Sequence, residues 1–411
     1  MRQGRAIDPR RGRSADAAHR RAHGRRYRLT PSTLRSARID FLRGISIFAV
    51  LLLHFSLTYN LVNSALSRVV PARWVHAAVI NGNYGVTIFF VISGFLITSN
   101  NLLRYGRLAD VRLRQFYAFR FARIVPPLIL ALCVILLLGL LNVPSFMNSR
   151  QGHAMPPAFF LVAIFSVLTF WHNVLMQVVG YFNYCLNIYW SLSVEEVFYL
   201  TFPVACALLK RDLLIIALCI AAIVFGPLYR SVHSDNEIYF MYAYPACFDA
   251  IAFGCLAAVL HGKLQIGPRL GALIRYASGF GLAAAYFAGI DGHEIFGFSL
   301  IAICAVGLLT HAFVAPAALG AAARQARYLP SRFVCWLGRH SYELYLFHII
   351  LLAGMRDLVP KAALPYGAKL PLFALFLAVS CLLAAIVARY FADPLNLRLR
   401  RRLAGGGQNM T

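Results

Sequence analysis

Apolar runs, several close to twenty residues long, recur along this chain and leave it little choice of fold. About 20 consecutive apolar residues are what a helix needs to cross the hydrocarbon core of a bilayer. The residues are 60% hydrophobic and only 13% charged, with a mean hydropathy of +0.66. That apolar share exceeds what a soluble domain carries. The expected fold class is therefore all-α: a polytopic membrane protein of about ten transmembrane helices, with one re-entrant or peripheral outer segment. The spans fall at about 40–59, 84–103, 124–141, 189–209, 213–229, 244–260, 270–290, 296–316, 336–353 and 370–391.

The formal net charge is +25. In a soluble protein that would point to nucleic acid, but here the arginines sit in the tails and a few loops. This is the positive-inside pattern, and no nucleic-acid partner is expected. Residues 1–37, rich in Arg, Ala and Gly, read as a disordered basic cytoplasmic tail that can touch anionic membrane lipid. Residues 38–398 form the transmembrane domain, and 399–411 a second basic cytoplasmic tail. The basic stretches at 104–123, at Lys210-Arg211, at 324–327 and at 398–402 should all lie inside. Parity then forbids the apolar run 157–171 from crossing, and both termini are cytoplasmic. The nine cysteines are scattered through apolar runs without CxxC or Cys/His spacing, so they read as small core residues and no metal is expected. Neither a cleavable signal peptide nor a duplicated pair of broken helices is expected.

Ionisable groups at membrane depth are costly and by default face a protein interior or a watery cavity. The first span, RIDFLRGISIFAVLLLHF from Arg38 to Phe55, carries Asp40, Arg43 and His54. Eleven residues separate Arg43 from His54, which on a helix is three turns: one shared face, about 16 Å apart along the axis. Singly, Arg43 reads as a snorkelling anchor and His54 as a core histidine; together with Asp40 on the same stripe they read as a site. Trp190, Ser193, Glu195, Glu196 and Tyr199 cluster where a later span opens, and one of the two adjacent carboxylates must face the bundle interior. Asp249 lies inside another apolar span and needs an arginine, histidine or hydroxyl partner. Arg120 and Arg123 share a helix face just before Pro126-Pro127, as a polyphosphate-binding pair would. Ser341, Tyr345 and His348, at i, i+4 and i+7, form a second polar stripe.

With these motifs in hand, the chain resembles the multipass O-acyltransferases of bacterial polysaccharides, acyltransferase family 3, from Arg38 to about Arg398. The resemblance rests on five stretches in order: the Arg43-to-His54 spacing, GVTIFFVISGFLI, Arg120-to-Pro126, WSLSVEEVFY and LGRHSYELYLFH. It departs from the family pattern before Asp249, where Cys247 and Phe248 stand in place of an arginine. It departs again at Phe391-Ala392-Asp393-Pro394, in place of a closing glutamate motif. No additional extracytoplasmic esterase-like domain is expected.

The resemblance implies a bacterial inner-membrane enzyme that transfers an acyl group, usually acetyl from acetyl-CoA, to a hydroxyl of a cell-envelope or secreted glycan or lipid-linked sugar. It implies that Arg43 and His54 are essential and that Arg120 and Arg123 serve the donor. Residues and resemblance together cast His54 as general base, with Glu195 or Glu196 orienting it. Asp40, Trp190, Ser193, Tyr199, Asp249, Tyr345 and His348 are the candidate substrate-binding residues. Two other readings stand beside this one: a glycolipid flippase using the buried charges as a path, and the same enzyme class with another donor such as succinyl-CoA. Binding or hydrolysis of acetyl-CoA separates the enzyme from the flippase.

Overall fold

A computed structural model describes residues 37–150, 152–261, 264, 266–310 and 329–404. The expected tail at 1–36, the end of the eighth span at 311–316, the basic stretch at 324–327 and the last residues, 405–411, lie outside the described residues. What is described is almost entirely helical. The exceptions are connecting loops and one antiparallel pair of two-residue strands, β1 (Ser149–Arg150) and β2 (His153–Ala154).

The helices keep the expected order. They are α1 (Ala37–Tyr59), α2 (Ala72–Ile80), α3 (Tyr84–Tyr105), α4 (Leu113–Leu140), α5 (Ala158–Leu168), α6 (His172–Val179), α7 (Trp190–Leu209) and α8 (Asp212–Val232). After them come α9 (Glu237–Tyr242), α10 (Tyr244–His261), α11 (Pro268–Ala288), α12 (Glu294–Thr310), α13 (Leu329–Arg339), α14 (Ser341–Leu358) and α15 (Lys369–Val387). A π-helical turn, Ala388–Ala392, leads from α15 into α16 (Asp393–Ala404).

A helix stands at each of the ten expected positions. Among the described residues, seven helical segments are long and apolar enough to cross a membrane: Ala37–Tyr59, Ala72–Tyr105, Leu113–Leu140, Asn187–Leu209, Asp212–Val232, Glu237–His261 and Tyr366–Leu403. The other three fall short for separate reasons. In α11 arginines, glycines and a serine dilute the apolar residues, α12 has 17 residues, and α14 carries Glu343, Arg356 and Asp357. The expected span at 336–353 is also displaced. The helical run breaks at His340 between α13 and α14, so the helix at this position starts at Ser341. The run 157–171 folds as the 11-residue α5, about 16 Å long, and then turns at Phe170, whose φ is +64°. A helix of that length does not cross a core of about 30 Å.

Close backbone approach holds the bundle together. Lipid gives apolar helices no reason to leave it, so association in a membrane depends on small residues that let helices touch. A Cβ on Gly94 of α3 would collide with Ile251 O of α10, and one on Gly254 of α10 with Val91 O of α3. The crossing of α1 with α13 is built the same way, Gly44 against Val334 and Gly338 against the Asp40 backbone. The glycines of the GVTIFFVISGF stretch are thus packing residues. They set α3 tightly between α1 and α10, where Ser93 turns towards α7.

Candidate active site

A cavity of about 130 Å³ lies among α1, α3, α4, α7 and α14. Arg43, Ser93, Arg120, Arg123, Glu195, Glu196, Tyr199, Ser341 and Tyr345 all line it. Five of the expected spans thus deliver their polar residues to one space, which no single-helix pattern could establish.

The polar groups are held by one another. Ser93 Oγ donates to Glu195 Oε1 at 2.8 Å. The Tyr199 hydroxyl, one turn along α7 from Glu195, lies 3.0 Å from Ser93 Oγ and 3.3 Å from Glu195 Oε2. The Arg120 guanidinium stacks 4.3 Å from the centre of the Tyr199 ring, an arrangement that orients the cation without using its N–H groups. Arg43 Nη2 donates to Ser341 Oγ at 2.8 Å, and its buried Nε has no partner. Glu196 is buried, with Oε1 likewise unpartnered. A native interior pairs nearly all such atoms, so these two, both on cavity residues, mark where a polar ligand would bond. On α14 the Tyr342 hydroxyl bonds Ile124 O at 2.8 Å, next to the prolines of α4. The Tyr345 hydroxyl donates to Ile188 O at 2.5 Å and meets Ser191 Oγ at 2.6 Å.

His54 does not line this cavity; it pairs with His348. His348 Nε2 lies 3.2 Å from His54 Nδ1, and the rings are 5.0 Å apart. Their partners fix the tautomers. His348 Nδ1 lies 2.9 Å from Leu344 O and 2.8 Å from Tyr345 O, so it carries the proton and Nε2 is an acceptor. His54 Nδ1 faces that acceptor and Val50 O at 2.9 Å, so it too carries the proton. The lone pair of neutral His54 is then on Nε2, as a general base requires. Of the two carboxylates expected to orient His54, Glu195 accepts from Ser93 and Tyr199, and Glu196 lines the cavity with Oε1 unpartnered. The pair adjoins the cavity through Tyr345, whose ring centre lies 6.0 Å from that of His348.

Besides the histidine pair, four expected residues do not line the cavity. Asp249 forms a buried ion pair with Arg230, Nη2 to Oδ2 at 2.7 Å, the only ion pair among the described residues. Ser299 donates to the same oxygen at 2.7 Å. Arg230 also bonds Ala246 O, Ile295 O and Ser299, so the group is saturated. Asp249 lines only a second, smaller cavity of about 20 Å³, together with Trp190, whose ring stacks on Tyr242 at 4.4 Å. Ser193 accepts from the backbone N–H of His172 at 3.2 Å and so ties α6 to α7 instead of reaching the cavity. Asp40 lies at the α1–α13 crossing, outside the cavity lining.

Sequence reasoning missed Ser93, Tyr342 and Arg230. The first two lie inside the motifs GVTIFFVISGFLI and LGRHSYELYLFH, but a hydroxyl in an apolar helix looks like packing. Arg230 was detectable, since it directly follows the apolar run 213–229 and Asp249 lacked a cationic partner. Among the described residues no group of three or more His, Cys, Asp or Glu is placed to hold a metal ion.

Comparison with known proteins agrees with this layout. The chain is 25% identical over 379 residues to O-acetyltransferase OatA of Staphylococcus aureus (strain NCTC 8325 / PS 47), covering 87% of this chain and 56% of that protein. It is 25% identical over 337 residues to peptidoglycan O-acetyltransferase OatA of Listeria monocytogenes serovar 1/2a (strain ATCC BAA-679 / EGD-e), covering 75% of this chain and 48% of that protein. The chain spans about half the length of these relatives. No solved structure matches it. The acyltransferase domain model matches residues 36–390, nearly the whole helical bundle, and the chain belongs to acyltransferase family 3.

Proposed function

We propose that this multipass membrane protein transfers an acyl group, acetyl from acetyl-CoA, to a hydroxyl of an envelope glycan, with peptidoglycan as the acceptor class that the relatives' names point to. One observation carries the reading. A cavity lined by Arg43, Arg120 and Arg123 adjoins, through Tyr345, a histidine pair whose accepting nitrogen is free. In this reading the thioester and the arm behind it would occupy the cavity. The phosphates would stay at the arginine-lined mouth, where forked guanidinium groups bind them well.

In this reading the glycan hydroxyl attacks the thioester carbonyl carbon while His54 Nε2 takes its proton. The C–O bond forms, the C–S bond breaks, and the CoA thiolate leaves and is protonated. His348 is a positioning residue that fixes the His54 tautomer, and Tyr345 and Ser191 shape the passage between cavity and pair. The protein sits in the bacterial inner membrane with the arginine mouth and both termini on the cytoplasmic side, in accord with the positive-inside pattern.

The test is acetyl transfer by the purified protein in lipid nanodiscs, with radiolabelled acetyl-CoA and a peptidoglycan fragment. His54→Ala should reduce turnover on the order of 10²- to 10⁴-fold, the usual contribution of a general base. It should leave CoA binding close to wild type. Transfer by His54→Ala at the wild-type rate would remove the base from the mechanism, and wild-type protein that neither binds nor consumes acetyl-CoA would return the chain to the flippase reading.

A further inference from the structure

We infer that Arg104 and Arg400 join Arg120 and Arg123 in a four-arginine site for a polyphosphate anion, built where helix α16 packs on α4. The α16 helix is basic, with the sequence DPLNLRLRRRLA. The π-helical turn at Ala388–Ala392 adds a residue to the helix repeat and re-phases α16, so that Arg400 meets α4. There the Arg400 guanidinium lies 5.2 Å from the centre of the Phe119 ring, and that of Arg104, from the end of α3, lies 4.8 Å from the same ring. Phe119 is the residue before Arg120, which itself stacks on Tyr199. Arg400 is within electrostatic range of Arg104, Arg120 and Arg123.

Four guanidinium groups this close repel one another, and an uncompensated cluster costs stability. Among the described residues none of the four is within ion-pair distance of a carboxylate, the one such pair being Arg230 with Asp249. Glu195 and Glu196 are near enough to feel Arg120, but Glu195 is bonded to Ser93. Arg400 Nε is moreover buried without a hydrogen-bond partner. Aromatic faces hold three of the cations, Arg104, Arg120 and Arg400, in place while leaving their in-plane N–H groups unspent. Both features fit an anion with several oxygens, which would neutralise the cluster and take those donors. The chemistry required is that of a diphosphate or a cluster of phosphomonoesters. Only the identity of the anion, the phosphate end of the acyl donor, rests on the function proposed above.

The experiment measures binding of pyrophosphate and of CoA to the full chain in phosphatidylcholine nanodiscs by calorimetry. Arg104→Gln and Arg400→Gln should each weaken both ligands about tenfold, as loss of a charge-assisted hydrogen bond does. Arg269→Gln, which removes an equal charge from exposed α11, should change neither affinity. Arg104 and Arg400 lie on different helices, so a folding defect at one leaves the other as the test, with thermal melts as the check. Repeating the titration in phosphatidylglycerol nanodiscs identifies the source. Lost pyrophosphate binding there assigns the site to a lipid headgroup, and retained binding assigns it to the soluble donor. Pyrophosphate affinity that depends on both arginines without any CoA binding would keep the site and sink the donor reading. CoA affinity unchanged in both variants, or no pyrophosphate binding by the wild type, would overturn the four-arginine site.

Discussion

At the scale of single residues, the His54–His348 contact is the arrangement on which the proposed chemistry most depends. A neutral imidazole has one donor and one acceptor, so fixing the donor fixes where the lone pair sits. His348 is 1% exposed, and its Nδ1 is committed to the α14 backbone. It can therefore accept from His54 but not donate to it. His348→Gln can keep an acceptor near that place, whereas His348→Leu offers none. We expect the leucine variant to lose turnover on the order of tenfold to a hundredfold, with the glutamine variant between it and wild type. The KM for acetyl-CoA should stay unchanged in both, because the arginine mouth is untouched. Equal losses in the two variants, or a rise in KM that accounts for the effect, would mean that His348 only packs. The sequence placed Arg43 and His54 on one face and Ser341, Tyr345 and His348 on another, since helical spacing is enough for that. That the two stripes meet depends on how α14 crosses α1, and no single-helix pattern contains a crossing.

Helices meet here through close backbone contacts, side-chain hydrogen bonds and, among the described residues, one buried ion pair, and at this scale the pattern of the chain was largely legible. Apolar length located a helix at each of the ten expected positions, because membrane insertion selects on that quantity, whereas the short helices α2, α6 and α9 carry no such signal. The misplaced boundary at 336–353 has a physical origin: Trp336 and Leu337 are apolar but belong to α13, which ends at Arg339. Asp249, an expected substrate-binding residue by its place inside an apolar span, bonds across α8, α10 and α12 through Arg230 and Ser299. Removing one member of a buried pair strands the other charge, at a cost of about 3–5 kcal/mol, while replacing both by apolar residues costs much less. Arg230→Met and Asp249→Leu should therefore each lower the melting temperature sharply in detergent, and the double variant should recover most of the loss. Acyl transfer per folded molecule should be unaltered in the double variant. Additive destabilisation would show that the two groups do not act as a pair.

At the scale of the whole molecule, the proposed topology rests on parity, and the described fold sharpens how to test it. In that topology three crossings, α1, α3 and α4, would carry the chain from a cytoplasmic start to the outer side at Leu141. One more, α7, must bring it back if Lys210-Arg211 is to be inside. The intervening α5 and α6 are 11 and 8 residues long, and Phe170 turns the chain between them, so neither adds a crossing. In this stretch Asn173 and Asn183 are buried and bond Tyr242 O and Asn148 Oδ1 at 3.2 and 2.7 Å, fixing the loop in place. They are poor positions for a labelling cysteine. His153 on β2 and Arg211 before α8 are exposed and better suited. In a background with the nine native cysteines replaced, His153→Cys in intact cells or right-side-out vesicles should react with a membrane-impermeant maleimide. Arg211→Cys should react only after permeabilisation. The reverse pattern would invert the whole bundle and put the arginine mouth outside, away from cytoplasmic acetyl-CoA. Labelling of both from outside would mean that α5 and α6 together make a crossing and that every later helix runs the other way.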